Sequence, residues 1–156
     1  MANLTGIIQI LPGATTVVDT TAQFPMLQRA RDTSGNEYIY LTGVASTILG
    51  SWVTYDELGI TTLLGANAKG MVAVAMAAID STSEYGWYCI FGNCEAAIAA
   101  NSAADTVIGF ETTAGYAGDG KAAGDMIYGA MERDATTTAA VVTVQISYPF
   151  VTDEST

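Results

Sequence analysis

Toward its end the chain carries an alternation that a strand satisfies and a helix does not. Val142, Val144, Ile146, Tyr148 and Phe150 alternate with Thr143, Gln145, Ser147 and Val151. An apolar period of two is the mark of a strand with one buried and one wet face. Pro149 removes a backbone donor from this run, which suits the exit of a strand or a sheet edge.

Other segments repeat the pattern at shorter length. Residues 71–79 alternate Val72, Val74 and Met76 with Ala73, Ala75 and Ala77, one face filling a core and the other small enough for close approach of a second layer. A polar break, Asp80-Ser81-Thr82-Ser83, leads to the most aromatic stretch of the chain, Glu84-Tyr85-Gly86-Trp87-Tyr88-Cys89-Ile90-Phe91-Gly92. These two runs read as the arms of a central hairpin, the second closed by Gly92-Asn93. In that second arm Trp87, Cys89 and Phe91 share one face, and Tyr88 and Ile90 share the other.

Further strands are expected over residues 37–41, around Tyr38 and Tyr40, and over 51–55, 60–64, 106–111 and 126–133. A Gly-rich loop is expected over 112–125. Residues 96–104 are rich in Ala but show no amphipathic stripe, so the expectation there is one short helical turn at most. Strands at spacings of about ten residues point to an all-β fold, a small antiparallel β-sandwich or barrel. A chain of 156 residues suffices for one domain that buries roughly 68–70% of its unfolded surface.

Residues 1–35 read differently. A short apolar run ends at Pro12-Gly13, residues 15–19 suggest an extended piece, and Phe24-Pro25 precedes Arg29, Arg31 and the turn Asp32-Thr33-Ser34-Gly35. Proline favours extended backbone just before it. The expected organisation is an extended N-terminal arm over 1–35 and a β domain over 36–156.

Charge narrows the partners. Five basic residues against sixteen acidic ones give a net charge of −11, which opposes contact with nucleic-acid phosphates and with anionic membrane surfaces. Charged residues make up only 13% of the chain, about half the usual share of roughly 25%, so the polar surface falls to Thr, Ser, Asn and Gly. No run reaches the roughly 18 apolar residues of a spanning helix. The opening residues lack the basic region of a signal peptide, and the chain is expected to be made and used without export. In that setting Cys89 and Cys94 are expected as free, buried thiols.

The absence of histidine removes the commonest general base and metal ligand, and with them Ser-His-Asp chemistry. Two cysteines alone do not complete a zinc site. The adjacent pairs Asp56-Glu57 and Asp153-Glu154 point to opposite faces of an extended chain. Residues 115–121 satisfy the G-x-x-x-x-G-K pattern, but Ala122 stands where Ser or Thr would hold magnesium, no periodic helix follows, and Asp119 repels phosphate. Asp119 and Asp125 fit no calcium loop. The expectation is no enzyme, no cofactor and no metal.

The order of these segments resembles the capsid decoration (cement or head-stabilisation) proteins of tailed bacteriophages. The residues that carry the likeness are Glu37-Tyr38-Ile39-Tyr40, Gly50-Ser51-Trp52-Val53-Thr54-Tyr55-Asp56, the strand at 70–77, Tyr85-Gly86-Trp87-Tyr88-Cys89-Ile90-Phe91-Gly92, the Ala-rich segment and the Pro-ended last strand. Together they span about residues 36–151.

The resemblance implies a structural virion protein, made in the host cytoplasm, that binds the outer face of the capsid. It would bridge subunits of the major capsid protein as a homo-oligomer, a trimer before a dimer. On that reading the arm at 4–31 anchors to the capsid through Leu4, Ile8, Phe24, Arg29 and Arg31. Tyr38, Tyr40, Trp52, Trp87 and Tyr88 build the core and the oligomer contact. The competing readings are another phage structural subunit, in a tail tube or a head–tail joint, and a β-sandwich ligand module using aromatics as a carbohydrate platform.

Overall fold

The computed structural model describes residues 8–9, 14–119 and 126–152. Among them lie eleven strands, one turn of 3-10 helix at Ala14–Thr16 and no α-helix. The all-β expectation holds. In chain order the strands are β1 (Ile8–Gln9), β2 (Arg29–Arg31), β3 (Glu37–Thr42), β4 (Trp52–Tyr55), β5 (Thr61–Leu63), β6 (Gly70–Ala75), β7 (Tyr85–Ile98), β8 (Val107–Phe110), β9 (Ala117–Gly118), β10 (Met126–Glu132) and β11 (Ala140–Val151).

The aromatic stretch sits in β7, the axis of the fold. At Cys89 this strand pairs with Tyr38 of β3 and with Val74 of β6, which therefore lie on opposite edges. Farther along, Ile98 pairs with Ala140 of β11 on one edge and with Ala117 of β9 on the other. The predicted hairpin with β6 is present, but β7 does not stop at Gly92-Asn93. It runs on to Ile98 with a bend, so the helical turn allowed over 96–104 is absent and Ala96 and Ala97 are strand residues.

Gly92 makes the bend possible. Its φ is +104°, a backbone open to glycine, and a Cβ there would lie 2.1 Å from Asn36 Oδ1, which accepts a 2.9 Å bond from the amide of Asn93. The ladder with β3 also slips beside this point, Glu37 facing Phe91 while Tyr38 faces Cys89. Such a bulge re-aims a long strand without ending it.

The pairings close in two rings that share β7. One runs β7–β11–β10–β8–β9 and back to β7. The other runs β3–β7–β6–β4–β5, and bonds from Thr42 close it: Thr42 N donates to Gly59 O at 3.1 Å and Thr61 Oγ1 donates to Thr42 O at 3.0 Å. Closure of this kind removes the open sheet edges that invite aggregation. Pairing is antiparallel except between β1 and β2 and between β7 and β9.

Two cores follow. Ile39, Leu41, Val53, Ala73, Ala75, Ala77, Ile79, Tyr88 and Ile90 fill the β3–β5 ring. The Ala face of β6 is thus inside a tight barrel rather than under an added layer. The larger core takes Tyr38, Tyr40, Trp52, Trp87 and Cys89 and continues through Cys94, Ile98, Ile108, Ile127, Val144 and Ile146 inside the second ring. Trp52 of β4 is tied to the far part of β7, its indole N–H donating to Ala97 O at 3.1 Å. The predicted faces of the aromatic stretch hold for Trp87 and Cys89 against Tyr88 and Ile90. Phe91, at the bulge, leaves the core and is half-buried.

Residues 14–35 are woven into this body. Phe24 packs 5.3 Å from the Tyr40 ring and 5.1 Å from Trp87, and Ala30 of β2 is fully buried beside β3. Tyr40 Oη donates to Asp19 Oδ2 at 2.6 Å. Burial with this bond pushes the Tyr40 pKa up to about 12. Where an extended piece is expected over 15–19, the chain instead starts with the 3-10 turn.

The last strand departs from expectation most. Val144 and Ile146 point inward as predicted, but Tyr148 has φ +46° and the alternation slips by one residue there. Pro149 and Val151 turn inward, and Tyr148 and Phe150 turn outward. A one-residue slip exchanges the two faces of everything beyond it.

Candidate interaction surface

That slip builds the most distinctive surface of the molecule. Ser147 still pairs with Phe91 of β7, while Phe150 pairs with Met71 of β6 and with Tyr128 of β10. β11 therefore crosses from one neighbour to another with Tyr148 at the crossing. The Tyr148 ring lies 5.3 Å from that of Phe91, and Tyr128 and Phe150 stack at 5.0 Å and 15°. Opposite the crossing, Gly129 has φ +76°, and a Cβ there would sit 2.6 Å from Ser147 O.

Polar contacts hold Tyr148 in this unusual conformation. Its phenol donates to Glu37 Oε2 at 2.7 Å, and Arg31 forms an ion pair with Glu37 Oε1. The Arg29 guanidinium lies over the Tyr148 ring, 5.7 Å from its centroid. Glu37 is a charged group only 3% exposed, a placement that requires paired partners. Burial alone would raise its pKa, but the bonds from Arg31 and Tyr148 and the charges of Arg31 and Arg29 hold the carboxyl below the usual range. The same bond to Glu37, with burial, pushes the Tyr148 phenol up.

Around this node lie Met71, Val107, Met131, Tyr148 and Phe150, each between 36% and 42% exposed. Three shallow grooves run between them. One of about 510 Å³ is lined by Phe91, Val107, Met131 and Ser147. A second of about 590 Å³ is lined by Leu27, Arg29, Tyr55 and Met71, with Asp56 and Glu57 at its rim. A third of about 490 Å³ is lined by Lys69, Met71, Phe150 and Thr152. Together they make a belt of apolar side chains fixed on strands, with basic groups beside it.

The residues singled out from sequence fall into distinct places. Leu4 lies outside the described residues. Ile8 is in β1, opposite Ala30 of β2. Phe24 is packed against the aromatic core rather than free on an arm. Arg29 and Arg31 do lie together, both side chains exposed on β2, and both engage the Tyr148 node. Tyr38, Tyr40, Trp52, Trp87 and Tyr88 are all buried, so as single side chains they form core and present no carbohydrate platform.

Sequence reasoning missed Tyr148, Met71 and Phe150 as surface-forming residues and Glu37 as the buried carboxylate that holds Tyr148. The available signal was Pro149 within an alternating run, which marks a disturbed ladder. Of the G-x-x-x-x-G-K segment, Gly120 and Lys121 lie outside the described residues, as do Ala122 and Asp125. Among the described residues, no three acidic or cysteine side chains converge as metal ligands. Cys89 and Cys94 are unbridged and buried, and the neighbouring Cys89 thiol together with burial pushes the Cys94 thiol well up.

No family model matches the chain, and no curated protein and no solved structure reaches the level of a match.

Proposed function

We propose that this chain is a structural virion protein of a tailed phage that binds the outer face of the capsid and bridges subunits of the major capsid protein. The observation that carries the reading is the belt of Met71, Val107, Met131, Tyr148 and Phe150 around the Arg29–Tyr148–Glu37 node. Exposed apolar side chains mixed with arginine and aromatic groups are the composition of a protein contact. Its grooves are shallow and spread along strands, a shape that suits a protein surface better than a small molecule. The resemblance across residues 36–151 supplies the capsid as the partner.

The physical role is stabilisation by mass action. A ligand that binds only the mature lattice stabilises it by about 2.7 kcal/mol per site at a hundred times its dissociation constant. Strand-borne contacts lose little backbone entropy on docking, so more of the burial energy remains available for binding. A homo-oligomer, a trimer before a dimer, multiplies that effect by linking several sites. The reading assigns no catalytic step, no cofactor and no nucleic-acid contact.

The test is to add the purified chain to capsids lacking it and to locate it by electron cryomicroscopy. Saturable density at icosahedral or quasi-equivalent positions on the outer shell is the expected result. Density confined to the tail or to the portal vertex would replace the reading with a tail or joining subunit, and no bound density would overturn it.

A further inference from the structure

Among the described residues, the apolar interior of the ring β7–β11–β10–β8–β9 ends at a buried carboxyl. Glu132, the last residue of β10, is fully buried in phase with Ala130, yet its Oε1 has no hydrogen-bond partner. Its other oxygen, Oε2, meets the hydroxyl of buried Ser102. Around this pair the chain closes on itself. Thr136 N donates to Ser102 O at 2.9 Å, Thr136 Oγ1 donates to Ala99 O at 2.8 Å, and Asp105 N donates to Glu132 O at 2.9 Å.

Among the described residues, the charges that act on Glu132 are the acidic ones of Asp119 and Asp134. Asp119 follows β9, where its Oδ2 accepts from Ala103 N at 3.0 Å, and Asp134 follows β10, where its Oδ2 accepts from Thr143 N at 3.2 Å. The neighbouring Arg133 turns to Asp105, 2.7 Å away, and not to Glu132. From the strands of the ring come the apolar side chains of Cys94, Ile98, Ile108, Phe110, Val144 and Ile146.

An ionised carboxylate with one uncompensated oxygen in such a place is costly. A neutral carboxyl can share its proton with the Ser102 hydroxyl and leave only a carbonyl oxygen unpaired, which costs far less. This contrasts with Glu37, equally hidden but paired with Arg31 and Tyr148.

We propose that Glu132 is a proton-operated latch: neutral, it lets the 102–105 segment and Thr136 close the end of the ring, and ionised, it loosens them. Burial is the largest effect on the Glu132 pKa and raises it; the Ser102 bond opposes this, the charges of Asp119 and Asp134 add smaller increases, and the net shift is upward. For a carboxyl so raised, stability is fully present below the unfolded value and is lost as pH climbs through the folded one. The latch therefore tightens in acid, the opposite of the Glu37 pairing.

Amide hydrogen exchange reads the latch locally. From pH 4 to pH 8 the protection factors of Asp105 and Thr136 should fall. Ala75, whose amide donates to Ser51 O in the other ring, should hold its protection. In Glu132→Gln the fall at Asp105 and Thr136 should vanish. Unchanged protection in the native chain, or an equal fall in the variant, overturns the proposal. A carbon-13 titration of the Glu132 carboxyl in the unaltered protein decides it even where the variant fails to fold. A midpoint above the ordinary glutamate value of 4.5 supports the latch, and one at or below it refutes it.

Discussion

The Tyr148 phenol donates a 2.7 Å hydrogen bond to Glu37 Oε2, joining β11 to β3 across 111 residues of chain. Because Arg31 holds the other oxygen of the same carboxylate, one buried charge connects the N-terminal strands to the last one. Tyr148→Phe keeps the ring but removes a donor to a charged acceptor. Since Tyr148 is partly solvated, the expected loss is about 1–1.5 kcal/mol, measured by urea denaturation at pH 7. Glu37 is held below the usual carboxylate range, so its pairing stabilises above the unfolded pKa and that contribution disappears as pH falls through the folded value. The difference between native chain and Tyr148→Phe should therefore shrink toward pH 3.

Gly92→Ala tests the bend of β7. The new methyl would meet Asn36 Oδ1 at 2.1 Å, and alanine at positive φ costs about 1–2 kcal/mol by itself. With the Asn36–Asn93 bond displaced, the total is about 2–3 kcal/mol. Adding Asn36→Ala removes the clash, so the double variant should be more stable than the sum of the two singles predicts. Strict additivity would show that the bend does not depend on this contact.

The small barrel gives a third prediction. Ala73 and Ala75 are fully buried on the inward face of β6. Ala75→Leu overfills that interior and should cost about 3 kcal/mol. Phe150→Ser, on the outer belt, should cost about 1 kcal/mol or less, chiefly the stacking on Tyr128. Thermal melts of the two variants would compare them directly.

These cases also mark what a reader of the sequence can and cannot see. Strand identity was legible because period-two patterning is local: β3, β4, β6 and β8 fall where their Val, Ile, Trp and Tyr residues alternate. The alanine face of β6 announced close packing but not the ring closed from Thr42 to Gly59 and Thr61, since that closure joins residues far apart in the chain. The outward turn of Tyr148 and Phe150 was hidden because it depends on a left-handed residue whose cost is met by Glu37 and Phe91. Glu132 was in phase with Ala130 all along, a local sign that a charged residue faces inward.

Cys89 and Cys94 offer a chemical probe of the shared core. Both are buried thiols, and the raised Cys94 group leaves little thiolate at neutral pH. Neither should react with a bulky disulfide reagent in the folded protein at pH 7.5, and both should react fully in urea. Labelling of the folded chain at the unfolded rate would show that β7 does not hold the two cores closed.

The proposed capsid contact is tested most directly at the belt of Met71, Val107, Met131, Tyr148 and Phe150. The double variant Met71→Ser with Phe150→Ser removes two apolar side chains from the belt while leaving both cores intact. Sedimentation of capsids with increasing amounts of each protein gives the occupancy curve. The account predicts that the native chain saturates the shell while the variant, folded and melting within a few degrees of it, binds at least tenfold more weakly. Equal occupancy by the two proteins would contradict it.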